Sequence, residues 1–427
     1  MSTLQILAQI VMVITLILMI TGKTPIYLTA IVGATIAALV AGFPLTGTAN
    51  VTVAKMVIGG LNPVIADMTG ILLFIGIMQS TGFLDVIVRD IVRMGDKIGQ
   101  GTGIACAGGI AAGAIGALTG FTQPVITGVV TGPAATRLGV NPNNAAGIIA
   151  HAGHIGNLAG FTHPTQVAIL ATAGIGYGMF NVYGFIAAIS IFAMSAFRNI
   201  RQMKQAGIKI DKAEHDRIMA EINNKEYTTT SLKAFMPFIV LVVGFLLSFP
   251  IFQVGVAAAL TCMVLAHKDA KESEKHMMEG VSLIAVPLVA TIGFLFMSTV
   301  IKQIGMVTTM GNLVEPVLNI SPVLVMFGVA FLTAFMTQSY AASVAIVVPF
   351  LQVVLNTGAD HMAAAFAAAS GAALIQYFLT GGPVAALSTV IPVVPGSDLK
   401  LANKFQRPSI LFGCFVSLCI VILLMMF

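Results

Sequence analysis

The chain has 427 residues, of which 57% are hydrophobic and only 9% are charged, and its mean hydropathy is +0.98. Its repeated apolar runs match the roughly 20 residues that an α-helix needs to cross a bilayer, so this composition excludes a water-soluble globular protein. The net charge of +5 does not indicate nucleic-acid binding, because the basic residues lie in polar segments between the apolar runs. The lipid bilayer is therefore an expected partner, and nucleic acid is not.

The apolar runs predict ten spanning helices. The N-terminal run, residues 4–20, has no basic residue before it and no small-residue cleavage site, so we interpret it as a retained span and not as a signal peptide. In chain order the predicted spans are 4–22, 25–43, 66–81, 144–175, 179–197, 233–249, 250–266, 282–300, 361–390 and 408–427.

Two further apolar segments, 101–138 and 321–356, are predicted to be re-entrant hairpins. Each is too long for one crossing and is interrupted near its middle by Gly, Pro, Ser and Thr. With ten crossings and two hairpins, every Lys and Arg except Lys55 and Lys302 falls on one side of the membrane. Because basic loops face the cytoplasm, this arrangement predicts an inner-membrane protein with both termini outside.

The polar segment 198–232 divides the chain into two halves, 1–197 and 233–427. We interpret it as a cytoplasmic linker and topology signal, and a regulatory role stays open. Each half contains a hairpin, at about 101–138 and 321–356, followed by a helix that is interrupted near a proline, at about 144–175 and 361–390. Five crossings per half, an odd number, make the second half an inverted copy of the first. The predicted fold is an all-α polytopic membrane protein with two inverted-topology repeats, an arrangement typical of secondary transporters.

The hairpin tips and helix interruptions are the predicted substrate site. Non-helical backbone at membrane depth is tolerated only where it is buried in protein or lines a water-filled cavity, and helix N-termini exposed there attract anions. An alternative is that the small residues only permit close helix packing. The predicted substrate-binding residues are Thr119, Thr122, Gln123, Asn157, Thr162, His163, Thr337, Gln338, Ser339, Gln376, Thr380 and Gly381.

Three histidines are candidates for coupling transport to a proton gradient: His151, His154 and His163. An ionisable side chain inside a membrane segment is a functional candidate, and His titrates in the physiological range. The alternative is that each is neutral and hydrogen-bonded within the helix bundle. No Cys or acidic partner accompanies them, so a zinc site is disfavoured, and whether any metal binds is unknown from the sequence.

The order of elements, together with the stretch AHAGHIGNLAGFTHPTQVAI at 150–169, resembles the ion transporter superfamily of gluconate permeases and citrate or dicarboxylate carriers. The resemblance implies a homodimer and an elevator mechanism, in which a hairpin-bearing domain slides against a scaffold. Gln123 stands where an acidic residue is expected in the gluconate type, so the resemblance does not choose the substrate.

These observations predict a symporter, not an enzyme, that moves a small organic anion across the inner membrane. The candidate anions are a sugar acid such as gluconate and a di- or tricarboxylate, driven by H+ or Na+, and no cofactor is expected. The alternative within the superfamily is a Na+/H+ antiporter, which would need a buried carboxylate pair that neither tip contains. A primary pump is disfavoured because no nucleotide-binding motif is found.

Overall fold

The computed structural model describes residues 2–21, 24, 26–60, 63–119, 122, 124–208, 211–223, 227, 229–247, 249–283, 285–337, 340–375 and 385–426. All the regular elements in these residues are helices. In the first half they are α1 Thr3–Thr21, α2 Ile26–Val40, α3 Val53–Gly60, α4 Pro63–Ser80, α5 Phe83–Thr119, α6 Val125–Arg137, α7 Pro142–Ala150, α8 Ala152–Leu158, α9 Pro164–Ala173 and α10 Met179–Gln205. The linker contains α11 Lys212–Asn223. The second half contains α12 Ser231–Leu246, α13 Ile251–Leu265, α14 Ala270–Leu283, α15 Ala285–Gln303, α16 Met306–Leu318, α17 Pro322–Thr337, α18 Tyr340–Asn356, α19 His361–Leu374, α20 Ala385–Val390 and α21 Leu399–Met426.

The predicted fold class, an all-α polytopic membrane protein, is confirmed. Within the described residues, four helices are long and apolar enough to cross a membrane, and a bent pair formed by α15 and α16 makes up to five. Shorter apolar helices make up much of the remainder. The helices α10 and α21 extend beyond the predicted spans 179–197 and 408–427, because amphipathic turns that carry basic residues continue each apolar run.

The helix α5 contains a kink that separates a charged first part from an apolar second part. Gly99 has φ −153° and ψ 18°, and Gln100 has φ 48°, a value that residues other than glycine rarely adopt. The first part carries Arg89, Arg93 and Asp96, whereas the residues from 101 to 119 are uncharged. The kink therefore coincides with the predicted start of the first hairpin.

Helix packing is repeated in the two halves. In each half the first two helices pack together, as α1 with α2 and α12 with α13. The fourth helix of each half packs against the other half, as α4 with α13 and α14, and α15 with α2 and α3. The pairs α5–α6 and α5–α8 correspond to the pairs α17–α18 and α17–α19. The two halves are therefore interlocked through α4 and α15.

Glycines permit the close approach of α4 to the second half. A Cβ added at Gly70 would lie 2.5 Å from the carbonyl oxygen of Phe252, and one added at Gly76 would lie 2.2 Å from that of His276. Small residues at helix crossings allow such backbone contact in membrane proteins. Any side chain at these two positions would force α4 away from α13 and α14.

The helix α19 runs antiparallel to α8 and α9. At one end, Nδ1 of His361 lies 2.6 Å from the carbonyl oxygen of Ala173, which ends α9. At the other end, Nε2 of His154 in α8 lies 3.3 Å from the carbonyl oxygen of Leu374, which ends α19. The helix α19 packs against α17 as α7 and α8 pack against α5, so α19 is the counterpart of α7 and α8. The counterparts in the two halves therefore run in opposite directions.

The linker helix α11 packs against the first hairpin and against the charged part of α5. Arg137, which ends α6, forms ion pairs of 2.6 Å with Glu214 and 3.0 Å with Glu221. His215 contacts Asp96 at 2.8 Å. Ile218 is only 1% exposed and packs in an apolar cluster with residues of α5 and α6. The linker helix therefore bridges the two sides of the α5 kink.

Candidate functional site

The interruption between α8 and α9, residues 159–163, is hydrogen-bonded to the end of α5. The main-chain nitrogen of Phe161 donates to the carbonyl oxygen of Ala117 at 2.6 Å. The hydroxyl of Thr162 donates to the carbonyl oxygen of Leu118 at 3.0 Å. Because α5 ends at Thr119, these bonds place the interrupted helix directly beside the first hairpin tip.

Two buried amides satisfy the carbonyl groups at the end of α8. Nδ2 of Asn181, in α10, donates to the carbonyl oxygens of Ala159 at 3.1 Å and Gly160 at 2.9 Å. Nε2 of Gln166, in α9, donates to the carbonyl oxygen of Leu158 at 3.2 Å. These carbonyls would otherwise lack a partner at a helix end inside the membrane. The sequence did not predict a role for Gln166 or Asn181. The only sequence feature that could have indicated one is that each is an isolated polar residue in an apolar helix.

The N-terminus of α9 lies at the interruption without a side-chain cap. Pro164 occupies the first helical position, and His163 precedes it without forming a capping hydrogen bond. The main-chain N–H groups of the first turn, at Thr165 and Gln166, have no intrahelical acceptor. Both residues are fully buried. This turn therefore presents a buried positive helix end of the kind that binds anions.

The beginning of α18, in the second half, contacts this helix end. The hydroxyl of Thr165 donates to the carbonyl oxygen of Tyr340 at 3.3 Å. The rings of His163 and Tyr340 lie 4.7 Å apart between centroids, at an interplanar angle of 31°. Tyr340 is the first residue of α18, so the second hairpin meets the interrupted helix of the first half.

The first hairpin tip packs tightly against α8. A Cβ added at Gly116 would lie 2.1 Å from the hydroxyl oxygen of Thr122, and one added at Gly156 would lie 2.0 Å from it. Thr122 therefore fills a notch between two glycines. The neighbouring Asn157 is 8% exposed.

The structure describes only part of the predicted substrate site. It brings together Thr122, Asn157, Thr162 and His163 near the ends of α5 and α8, and Thr119 and Thr337 end α5 and α17. The hydroxyl of Thr162 already donates to Leu118, which gives it a structural partner. The predicted residues that lie outside the described part of the chain are Gln123, Gln338, Ser339, Gln376, Thr380 and Gly381.

The three predicted proton-coupling histidines have different surroundings. Nε2 of His151 lies 2.8 Å from the hydroxyl of Ser195, which in turn donates to Ser409 at 2.7 Å. The rings of His151 and His154 lie 5.3 Å apart. Nδ1 of His163 and Nδ1 of His151 are buried and have no hydrogen-bond partner among the described residues. His151 therefore links α7 and α8 to α10 and α21, whereas His163 lies at the α9 N-terminus.

The site is uncharged. No Asp, Glu, Lys or Arg occurs between Arg137 and Arg198, a segment that includes α7, α8 and α9. Among the described residues, no group of three or more His, Cys, Asp and Glu side chains is arranged to bind a metal ion. Main-chain groups, hydroxyls, amides and the three histidine side chains are thus the ligands that this part of the chain offers.

A profile of the CitMHS family, described as a citrate transporter, matches residues 16–375, which is most of the chain. The chain belongs to the CitMHS citrate transporter family. Its structure is similar to that of the YdaH transporter of Alcanivorax borkumensis, with a TM-score of 0.60, 14% identity and coverage of 98% of both chains. It is also similar to MtrF of Neisseria gonorrhoeae, from a class of antimetabolite efflux pumps, with a TM-score of 0.60, 12% identity and coverage of 99% of this chain and 94% of MtrF.

No curated protein matches the chain. The family and the fold together confirm the predicted membership of the ion transporter superfamily. The protein is therefore a multi-pass membrane transporter.

Proposed function

We propose that the protein is a secondary active symporter that carries a small organic anion, with a citrate-like tricarboxylate as the favoured substrate. The uncapped N-terminus of α9, at which Thr165 and Gln166 are fully buried in a segment without charged residues, is the observation that carries the proposal. A substrate carboxylate would accept hydrogen bonds from the N–H groups of Thr165 and Gln166, which have no intrahelical acceptor. The family description favours citrate over a sugar acid such as gluconate.

A neutral site suits a carrier that must also move without substrate. A buried Lys or Arg would leave an unpaired charge in the empty state, and the desolvation of that charge is costly. A helix N-terminus supplies a positive field from fixed dipoles and needs no counter-ion when the site is empty. The hydroxyls and amides beside it can accept or donate hydrogen bonds to the remaining oxygens of the substrate.

Proton coupling is favoured over sodium coupling in this proposal. His163 lies at the helix end proposed to bind the anion, and His154 lies one helix earlier beside the end of α19. Protonation of either side chain would offset the negative charge of the substrate. The alternative Na+/H+ antiporter has less support, because no carboxylate lies between Arg137 and Arg198.

Alternating access by an elevator, in the inner membrane and as a homodimer, is part of the proposal. Two groups of helices flank the hairpins and the interrupted helices: α1, α2, α3 and α15 form one group, which contacts α9 and α18, and α4, α12, α13 and α14 form the other, which contacts α5. The kink at Gly99 and Gln100 lies between the charged part of α5 and the first hairpin, so it is the joint at which the hairpin would move relative to α4 and α12. The inverted arrangement of α8 and α19 is consistent with symmetrical opening to either side.

Uptake into proteoliposomes tests the proposal. Radiolabelled citrate should accumulate when an inward proton gradient is imposed, and excess unlabelled gluconate should compete more weakly than unlabelled citrate. A sodium gradient at constant pH should have a smaller effect. Accumulation that follows sodium alone would reverse the choice of ion, and no transport of any carboxylate in the panel would contradict the proposed function.

A further inference from the structure

Gln166 combines complete burial with an unused acceptor at the proposed anion site. The side chain has no exposed surface, and its Nε2 atom donates to the carbonyl oxygen of Leu158 at 3.2 Å. Its Oε1 atom is buried and has no hydrogen-bond partner among the described residues. A buried amide oxygen without a donor is unfavourable, so such an atom calls for an explanation.

The neighbours of Gln166 do not supply that donor. The four residues that follow it in α9 are apolar and fully buried: Val167, Ala168, Ile169 and Leu170. His163 precedes the first residue of α9, and its Nδ1 atom also lacks a partner among the described residues. Within the described part of the chain, two buried polar atoms without a partner thus accompany the uncapped first turn of α9.

We propose that Gln166 is a specificity-determining residue, and that its Oε1 atom accepts a hydrogen bond from a hydroxyl group of the substrate. The substrate class is then a hydroxy-carboxylate: the carboxylate binds the N–H groups of the first turn, and the hydroxyl on the adjacent carbon donates to Oε1. This inference rests on the proposed function, because it assigns the anion to the N-terminus of α9. It adds the requirement that the anion carries a donor.

A site that uses a buried acceptor discriminates strongly against an analogue without the donor. The analogue fills the same space but leaves Oε1 unsatisfied, and enzymes built in this way reject such analogues far more strongly than they reject a missing methylene. For one hydrogen bond to a neutral acceptor, the expected preference is roughly 10- to 100-fold.

The experiment compares pairs of acids that differ by one hydroxyl group. Unlabelled citrate and tricarballylate, and unlabelled malate and succinate, are used as competitors of labelled citrate uptake in proteoliposomes. The wild-type protein should prefer the hydroxylated member of each pair by about 10-fold or more. Gln166→Leu keeps the side-chain volume and removes the acceptor. It should weaken inhibition by the hydroxylated acid, so that the ratio of the inhibition constants of the two members of each pair falls close to one.

Gln406 in α21 provides a matched control. It is 2% exposed, its Nε2 atom donates to the carbonyl oxygen of Gly147 at 2.8 Å, and its Oε1 atom also lacks a partner among the described residues. It does not belong to the first turn of α9. Gln406→Leu should therefore keep the wild-type ratio, even if it lowers stability as much as Gln166→Leu does.

Several results would overturn the inference. If the wild-type protein is inhibited equally by the two members of both pairs, the inference is wrong, even when citrate itself is transported and the proposed function stands. An unchanged ratio in Gln166→Leu would make Gln166 a structural residue, and a change in ion dependence with an unchanged ratio would assign Oε1 to the coupling cation. If Gln166→Leu does not fold, Gln166→Met is measured in its place, and the wild-type ratio remains decisive. A failure to transport any carboxylate would instead contradict the proposed function.

Discussion

The hydroxyl of Thr165 donates a hydrogen bond of 3.3 Å to the main-chain carbonyl oxygen of Tyr340. This bond joins the first turn of α9, in the first half of the chain, to the first residue of α18, in the second half. The tilted rings of His163 and Tyr340, 4.7 Å apart between centroids, contact each other at the same junction. The helix N-terminus proposed to bind the anion is therefore positioned by both repeats.

Replacement of Thr165 should reduce transport more than it reduces stability. Thr165→Val keeps the shape and removes the hydroxyl, and a single neutral hydrogen bond contributes about 1 kcal/mol to stability. Because the bond positions the first turn of α9 against α18, we expect a several-fold loss of citrate uptake with little change in the melting temperature. The control is Thr172→Val, whose hydroxyl donates within α9 to Ala168 at 2.7 Å. Equal uptake by the two variants would contradict a role for this junction.

Replacement of Thr162 should reduce stability more than it reduces substrate binding. Its hydroxyl satisfies the carbonyl oxygen of Leu118 in a fully buried position, and a buried carbonyl left without a donor costs about 1–3 kcal/mol. Thr162→Val should therefore lower the melting temperature, while the affinity of the folded fraction for citrate stays near that of the wild type. Scanning fluorimetry and binding measured on the same sample separate the two effects. A weaker affinity at unchanged stability would return Thr162 to the substrate site.

Gly156 and Thr122 offer a test of the first hairpin tip. A methyl group at Gly156 would lie 2.0 Å from the hydroxyl oxygen of Thr122, so Gly156→Ala should displace the tip and abolish most of the uptake. In Gly156→Ala/Thr122→Ala the clashing oxygen is absent, and the nearest side-chain atom of residue 122 is 3.4 Å away. Rescue by the double variant would show that Thr122 has a packing role. A double variant that folds but does not bind citrate would instead show that the hydroxyl contacts the substrate.

The sequence was sufficient to predict the interruption at 159–163, but not all of the side chains that form hydrogen bonds with its main chain. Thr162, His163 and Pro164 interrupt an apolar run with a breaker and polar residues, which is a strong local signal. Gln166 and Asn181 are single polar residues within apolar helices, and nothing local indicates that they face the interruption. Which carbonyl each amide satisfies depends on the packing of α8, α9 and α10.

The arrangement of the helices was predictable in order but not in pairing. The helix pairs α5–α6 and α17–α18 and the interruption between α8 and α9 follow from the spacing of Gly, Pro and Thr along the chain, whereas the predicted interruption of the second half, near Gln376 and Thr380, lies outside the described residues. The exchange of α4 and α15 between halves does not follow, because both helices are mostly apolar and their few polar residues do not indicate which helix each one contacts. The close contacts at Gly70 and Gly76 become meaningful only when α13 and α14 are placed beside them.

The contact between α11 and α5 should depend on pH. The hydrogen bond to Asp96 is the main cause that raises the pKa of His215 above its ordinary value of 6.5, and Asp216 adds to the effect. The raised pKa means that the stabilisation is fully present below about pH 6.5 and is lost as the pH rises through the folded-state pKa. Limited proteolysis in the linker should therefore be slower at pH 5.5 than at pH 8.5.

Two variants separate the histidine from the ion pairs of α11. His215→Gln should remove the pH dependence of cleavage. Arg137→Gln breaks the contacts with Glu214 and Glu221, so it should accelerate cleavage at both pH values while keeping the protection at acid pH. A pH dependence that survives in His215→Gln would assign the effect to another group.

Cysteine labelling on either side of each hairpin tests the topology. In a background with Cys106, Cys262, Cys414 and Cys419 replaced by Ala, single cysteines are introduced at exposed positions that flank the hairpins. Lys97 and Asn141 flank the first hairpin, and Asn319 and Asn356 flank the second. A re-entrant segment returns to the side from which it entered, so the members of each pair should react with an impermeant maleimide from the same side.

The two pairs should also differ from each other. Basic residues surround the first pair, including Arg93, Lys97 and Arg137, so the positive-inside rule places that pair in the cytoplasm and the second pair outside. In intact cells the reagent should label Asn319→Cys and Asn356→Cys, whereas Lys97→Cys and Asn141→Cys should react only after permeabilisation. If the two members of one pair react from opposite sides, that hairpin crosses the membrane completely. The second half would then no longer be an inverted copy of the first.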